Sequence, residues 1–144
     1  MGEKGTNVKP VFQTKFTNPG GNCFQACVAS ILEVGLQEIP DFCNDAAFCD
    51  GKQIHYDRVT SWLHREFGMG LLCLKAEWFD GVLTEAYHEA FVIAGGRSPR
   101  SGRGHCVVWR KGRCVHDPYP EGGGLEGQPE DYCLFLCMDP GVRC

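Results

Sequence analysis

Gly21-Asn22-Cys23-Phe24-Gln25-Ala26-Cys27-Val28-Ala29-Ser30-Ile31-Leu32 sets a cysteine where a glycine-rich loop turns into an apolar helix. The first turn of a helix carries unpaired backbone N–H groups and the positive end of the macrodipole, so it favours an anion. A thiol held there ionises more easily, and the thiolate is the reactive form. Ala26, Cys27, Ile31 and Val34 recur near helical spacing, which predicts a helix from Cys23 to about Val34 with Gly35 as its stop. Cys27 lies one turn on, outside the N-terminal field, and reads as packing.

Working outward, Asn18-Pro19-Gly20-Gly21 is a loop signal, and residues 10–16 before it read as a short extended segment. Asp57 to Phe67 sets Val59, Trp62 and Leu63 on one face with Gly68 after it, a second helix. The sequence then changes character. Gly70 to Ala76, Ala90 to Ala94, His105 to Trp109, Arg113 to His116 and Tyr132 to Cys137 are short apolar or β-branched runs, which read as strands. Helices first and strands after predict an α+β fold with a mostly antiparallel sheet. Residues 1–9 are polar and read as a loose N-terminus; residues 10–144 read as one domain.

A net charge of −4 gives no general attraction to nucleic acid or to anionic membranes, so neither is expected as a partner. No run is apolar enough to span a bilayer, and no apolar h-region follows Met1, so a cytoplasmic location is expected. The ten cysteines are then expected to be reduced. Cys73, Cys133 and Cys137 lie in apolar runs and read as small hydrophobes. Cys43 and Cys49 are six apart and Cys133 and Cys137 four apart, which is not paired zinc-ligand spacing; no metal and no organic cofactor is expected. Arg97, Arg100, Arg103, Arg110, Lys111 and Arg113 read as a solvated loop face, the alternative being a local positive surface beside His105.

A thiol nucleophile needs a base, a group to orient that base, and donors for the oxyanion. His105 is the base candidate, because Gly102 and Gly104 keep its surroundings open while Val107-Val108-Trp109 anchors its strand. Asp117, before Pro118, is the orienting candidate. A three-residue loop Arg110-Lys111-Gly112 would pair Val107 with Val115 and His105 with Asp117 on one face, whereas a two-residue loop would set Asp117 opposite Cys106. The triad reading therefore predicts the longer loop. His116 alternates away from Asp117 and is the weaker base; His55, His64 and His88 read as solvated. For the oxyanion, the Cys23 N–H is one donor and Gln13 the choice for a second. Asn22 is the alternative if it is not capping the helix, and Gln25 reads as pointing outward.

Cys23-Phe24-Gln25-Ala26-Cys27, His105-Cys106-Val107-Val108 and Asp117-Pro118, in that order, resemble the papain-like cysteine peptidases. They look closest to the peptidase domains of bacterial transporters that remove double-glycine leaders from bacteriocins. Phe24 stands where that family usually has glycine. The resemblance implies a papain-like fold, with the catalytic helix packed on the sheet, and a Cys23–His105–Asp117 triad with Gln13 at the oxyanion. The expected activity is cysteine peptidase or amidase chemistry through a thioester, on a polypeptide or other amide or ester substrate. A transferase or deamidase using the same triad, and a non-catalytic binding or inhibitor module, are the alternatives. The loop 119–125 reads as a surface connection or a border of the cleft.

Overall fold

The computed structural model describes residues 8–17, 20–51, 53–80 and 84–138; residues 1–7, on which most of the expected loose N-terminus falls, lie outside them, as does half of the Asn18-Pro19-Gly20-Gly21 signal. Helix α1 spans Cys23–Leu32 and α2 spans Tyr56–Phe67. A two-stranded hairpin, β1 (Cys49–Asp50) with β2 (Gln53–Ile54), lies between them. The main sheet holds β3 (Met69–Lys75), β4 (Val92–Arg97), β5 (Gly104–Arg110), β6 (Arg113–His116) and β7 (Glu126–Cys137) in the order β3-β7-β4-β5-β6. Every neighbouring pair in it is antiparallel. The protein is α+β.

Alternation along the strands gives the sheet two apolar faces. Ile93, Cys106, Val108 and Cys133 face Cys27 and Val28 of α1 and Val59 and Leu63 of α2. Val92, Ala94, Val107 and Leu134 form the opposite face, with Phe79 stacked on Tyr132 at a centroid separation of 4.4 Å. Residues Phe24 through Ser30 of α1 are all buried, so this helix is enclosed on every side. The small side chains of Ala26, Cys27, Ala29 and Ser30 let neighbours approach that closely.

Three expectations are corrected. α1 stops at Leu32, because Glu33 turns left-handed (φ 59°) and the Val34 N–H closes back on the Ala29 carbonyl at 3.0 Å; Gly35 is not the stop. The β5–β6 loop has two residues rather than three. Lys111 (φ 54°) and Gly112 (φ 75°) are both left-handed, the turn whose twist suits a hairpin, and Arg110 pairs with Arg113 and Trp109 with Cys114. The register then shifts, so that Val108 pairs with His116 and Val115 is the extra residue of a bulge. The bulge restores the parity that the short loop would have lost. Lastly, the thiols are not all reduced: Cys73 and Cys133 sit directly opposite each other on β3 and β7 and form a disulfide, and Cys137 is disulfide-bonded too.

The Cys73–Cys133 bond links positions 60 residues apart, so its main effect is expected on the unfolded ensemble. The double variant Cys73→Ala/Cys133→Ala should lose about 2–4 kcal/mol relative to the oxidised protein. Urea unfolding of both, with and without reductant, checks this.

Candidate active site

Asn22 ends the loop before α1, and its side chain does not cap the helix. Its Oδ1 accepts the Thr14 and Lys15 N–H groups at 2.9 and 2.8 Å, and its Nδ2 donates to Thr14 Oγ1 and Gln25 Oε1, both at 3.1 Å. Asn22 is thus a buried tie for residues 14–15 and not an oxyanion donor. Gln25 points inward, contrary to expectation, and donates to the Leu36 and Ile39 carbonyls at 3.0 and 2.8 Å. Ser30 accepts the Val11 N–H at 3.0 Å. These buried polar groups of α1 are satisfied by the loops around it, and in return they fix segment 11–15.

That fixed segment brings Gln13 to the site. Its backbone N–H donates to the Pro118 carbonyl at 2.9 Å and its Nε2 donates to the Lys15 carbonyl at 2.8 Å. Gln13 lines a cleft of about 400 Å³ together with Cys23 and His105. Its buried Oε1 has no partner among the described residues. The second amide hydrogen of Nε2 and the first-turn N–H groups of α1 are donors without an intrahelical role, chemically of the kind an anion accepts.

β5 and the segment after β6 supply the other two groups. Continuing the bulged register past His116 brings Asp117 onto the face of His105, and His105 Nε2 lies 2.8 Å from Asp117 Oδ1. The carboxylate is further held by the Tyr119 N–H on Oδ1 (2.9 Å) and the Gly124 N–H on Oδ2 (2.8 Å). The remaining ring nitrogen of His105 is not taken by Asp117, and Cys23 is near enough that each group shifts the other's titration. The structure therefore brings Cys23, His105 and Asp117 together in sequence. It does not recruit His116, whose Nε2 donates to the Val11 carbonyl at 2.8 Å.

Sequence reasoning misses Cys106 as a neighbour of the site. It follows His105, so it points to the opposite face of β5, toward α1, and its sulfur is 3.2 Å from that of Cys23 and 3.9 Å from that of Cys27. Alternation along β5 is the signal that could have found it. The loop 119–124 does border the cleft: Tyr119 lines it, and Gly124 holds Asp117.

The electrostatics differ from the simple helix-terminus picture. The Cys106 sulfur and burial push the Cys23 thiol well up, against the pull of His105. Burial pulls the His105 imidazolium down, but its bonds with Asp117 and Cys23 reverse this and raise it to about 9. Burial works against the Asp117 carboxylate, yet His105 and the Tyr119 and Gly124 N–H groups hold it below its usual range. At neutral pH the pair Cys23–His105 thus keeps both protons, and the reactive form, with one proton between them, grows as pH rises toward 9.

Iodoacetamide labelling of Cys23, followed by mass spectrometry, should accelerate from neutral pH toward about 9. Cys106→Ala should move that rise to lower pH; a move upward would mean that Cys106 donates its S–H to the Cys23 thiolate. Stability has its own window. His105 is raised from 6.5 to about 9, so its contribution is full below 6.5 and fades as pH climbs through about 9. Asp117 is lowered, so its contribution is present above 3.8 and fades on acidification. Urea midpoints measured across pH should decline on the alkaline side, and His105→Ala should flatten that arm.

Compared with known protein families, curated proteins and solved structures, the protein matches none.

Proposed function

We propose that this protein is a thiol-dependent hydrolase of amide or ester bonds, built on a papain-like arrangement of one buried helix against an antiparallel sheet. The observation that carries the reading is the imidazole of His105 bonded to Asp117 at 2.8 Å while it lines the same cleft as the Cys23 thiol. A cleft of about 400 Å³ opens onto the thiol, large enough for a short stretch of peptide.

Neutral His105 takes the proton from Cys23 as Sγ attacks the carbonyl carbon, and the C–S bond forms while the carbonyl oxygen gains the electron pair. The first-turn N–H groups of α1 and the Gln13 amide stabilise that oxygen. His105 then gives its proton to the leaving amine or alcohol, the C–N or C–O bond breaks, and a thioester on Cys23 remains. Water, deprotonated by His105, attacks the thioester, the acid leaves, and the thiol regains its proton. Asp117 holds the ring in the tautomer this sequence of steps needs, its own orientation fixed by three donors.

A fluorogenic peptide library assayed at about pH 8.5, on the rising side of the His105 titration, provides the test. Cys23→Ala should abolish turnover, and His105→Ala and Asp117→Asn should lower it by about 10²–10⁴-fold. If Cys23 is alkylated no faster than the exposed Cys114, and His105→Ala leaves its rate unaltered, the thiol is not a nucleophile and the cleft is a binding surface.

A further inference from the structure

The cleft that exposes Cys23 carries one unbalanced positive charge among its described lining residues. Among the described residues lining it there is no aspartate or glutamate, and Arg100 is the one side chain with a permanent charge. Two other arginines of the basic run are paired: Arg97 with Glu130 at 3.2 Å and Arg110 with Glu89 at 3.3 Å. Among the described residues Arg100 has no acidic partner.

Arg100 is nevertheless held in place. Its guanidinium lies over the Tyr119 ring, Cζ 3.5 Å from the centroid, and Nη1 donates to the Gly122 carbonyl at 3.0 Å. Its backbone N–H donates to Oγ of the buried Ser98 at 3.2 Å. Ser98 in turn closes the loop, its N–H on the Arg103 carbonyl and its carbonyl on the Gly102 N–H, both at 2.7 Å. Gly123 beside it has φ 108°, a backbone conformation that favours glycine and shapes the loop around Nη1. An arginine fixed by a ring and one carbonyl has little conformational freedom left to lose on binding, and its Nε–Nη2 edge remains for a planar two-oxygen acceptor.

Resting on the hydrolase reading above, we propose that Arg100 is a specificity-determining residue that draws a carboxylate of the substrate into the cleft. A carboxylate fits better than a phosphate, because a single guanidinium balances one negative charge, the charge of His105 is already balanced by Asp117, and no second Lys or Arg lines the cleft among the described residues. The exposed ring of Phe16, edge-on to Tyr119 at 5.7 Å, gives the neighbouring wall an apolar surface, so the acidic group is presented beside an apolar one. The carboxylate belongs either to an aspartate or glutamate side chain or to the carboxyl terminus of a peptide.

Site-resolved alkylation of the protein tests this without knowledge of the substrate. Iodoacetate and iodoacetamide meet the same sulfur, so the ratio of their rates at Cys23 cancels changes in thiol reactivity and reads local charge. The ratio should exceed that at Cys114 several-fold and fall at least about fivefold in Arg100→Gln, with Arg100→Lys between, as expected for loss of one nearby charge. Protection of Cys23 from iodoacetamide by three peptide sets then separates the sources: amidated peptides with internal Asp or Glu, neutral peptides ending in a free carboxylate, and amidated neutral peptides. One carboxylate set should protect at a lower concentration than the neutral amides, and Arg100→Gln should erase the difference. A ratio unaltered in Arg100→Gln, or equal protection by all three sets, overturns the proposal. Reaction of Cys23 at about pH 9 no faster than that of Cys114 with either reagent, with the ratio still dependent on Arg100, overturns the hydrolase reading and leaves the carboxylate site standing.

Discussion

The enclosure of α1 on all sides is the constraint from which the site follows. A helix with Gln25 and Ser30 buried inside a protein must find partners for them, and it finds them in the backbone of the loops that wrap it. Those loops therefore cannot drift, and one of them carries Gln13. Asn22 repeats the logic at the helix entrance, where its amide bonds Thr14, Lys15 and Gln25 instead of the first-turn N–H groups. The positive end of the helix is left for whatever the cleft admits. Burial of the scaffold and availability of the helix end are two results of the same arrangement.

The sulfur cluster is a further result, and it runs against reactivity at rest. Close packing of small residues between α1 and β5 brings Cys23, Cys27 and Cys106 into contact. A charge on Cys23 is discouraged by Cys106 and by burial, while Asp117 and Cys23 favour a charged His105. Such a pair gives up a proton only as pH rises.

Much of this is legible in the sequence. The thiol at a helix start, the strand bearing His105 and the Asp117-Pro118 step each rest on local signals: a glycine-rich approach, β-branched alternation and a proline. Distant packing is not legible. Nothing near Cys73 announces that Cys133, sixty positions on, lies opposite it in the sheet, and an apolar run around a cysteine looks the same whether the sulfur is free or bonded. Glu33 ending α1 and Asn22 forgoing its cap are equally hidden, because in both cases hydrogen bonds formed in the folded state override a local preference. The β1–β2 hairpin is too short to leave a periodic trace.

The β5–β6 hairpin counts in twos. A side chain's face depends only on whether the number of residues between it and the turn is odd or even, and the turn itself uses up two. Val115 is the one residue that changes odd to even, and it lies in a bulge with no obvious chemistry of its own. Its presence, which sets the register, thus matters to the site separately from its side chain, which packs on the core. Loss of a single position there would turn Asp117 from His105 toward the face of Cys106 without altering any residue of the triad. In this hairpin the length of a strand is as much a part of the candidate site as the side chains it displays.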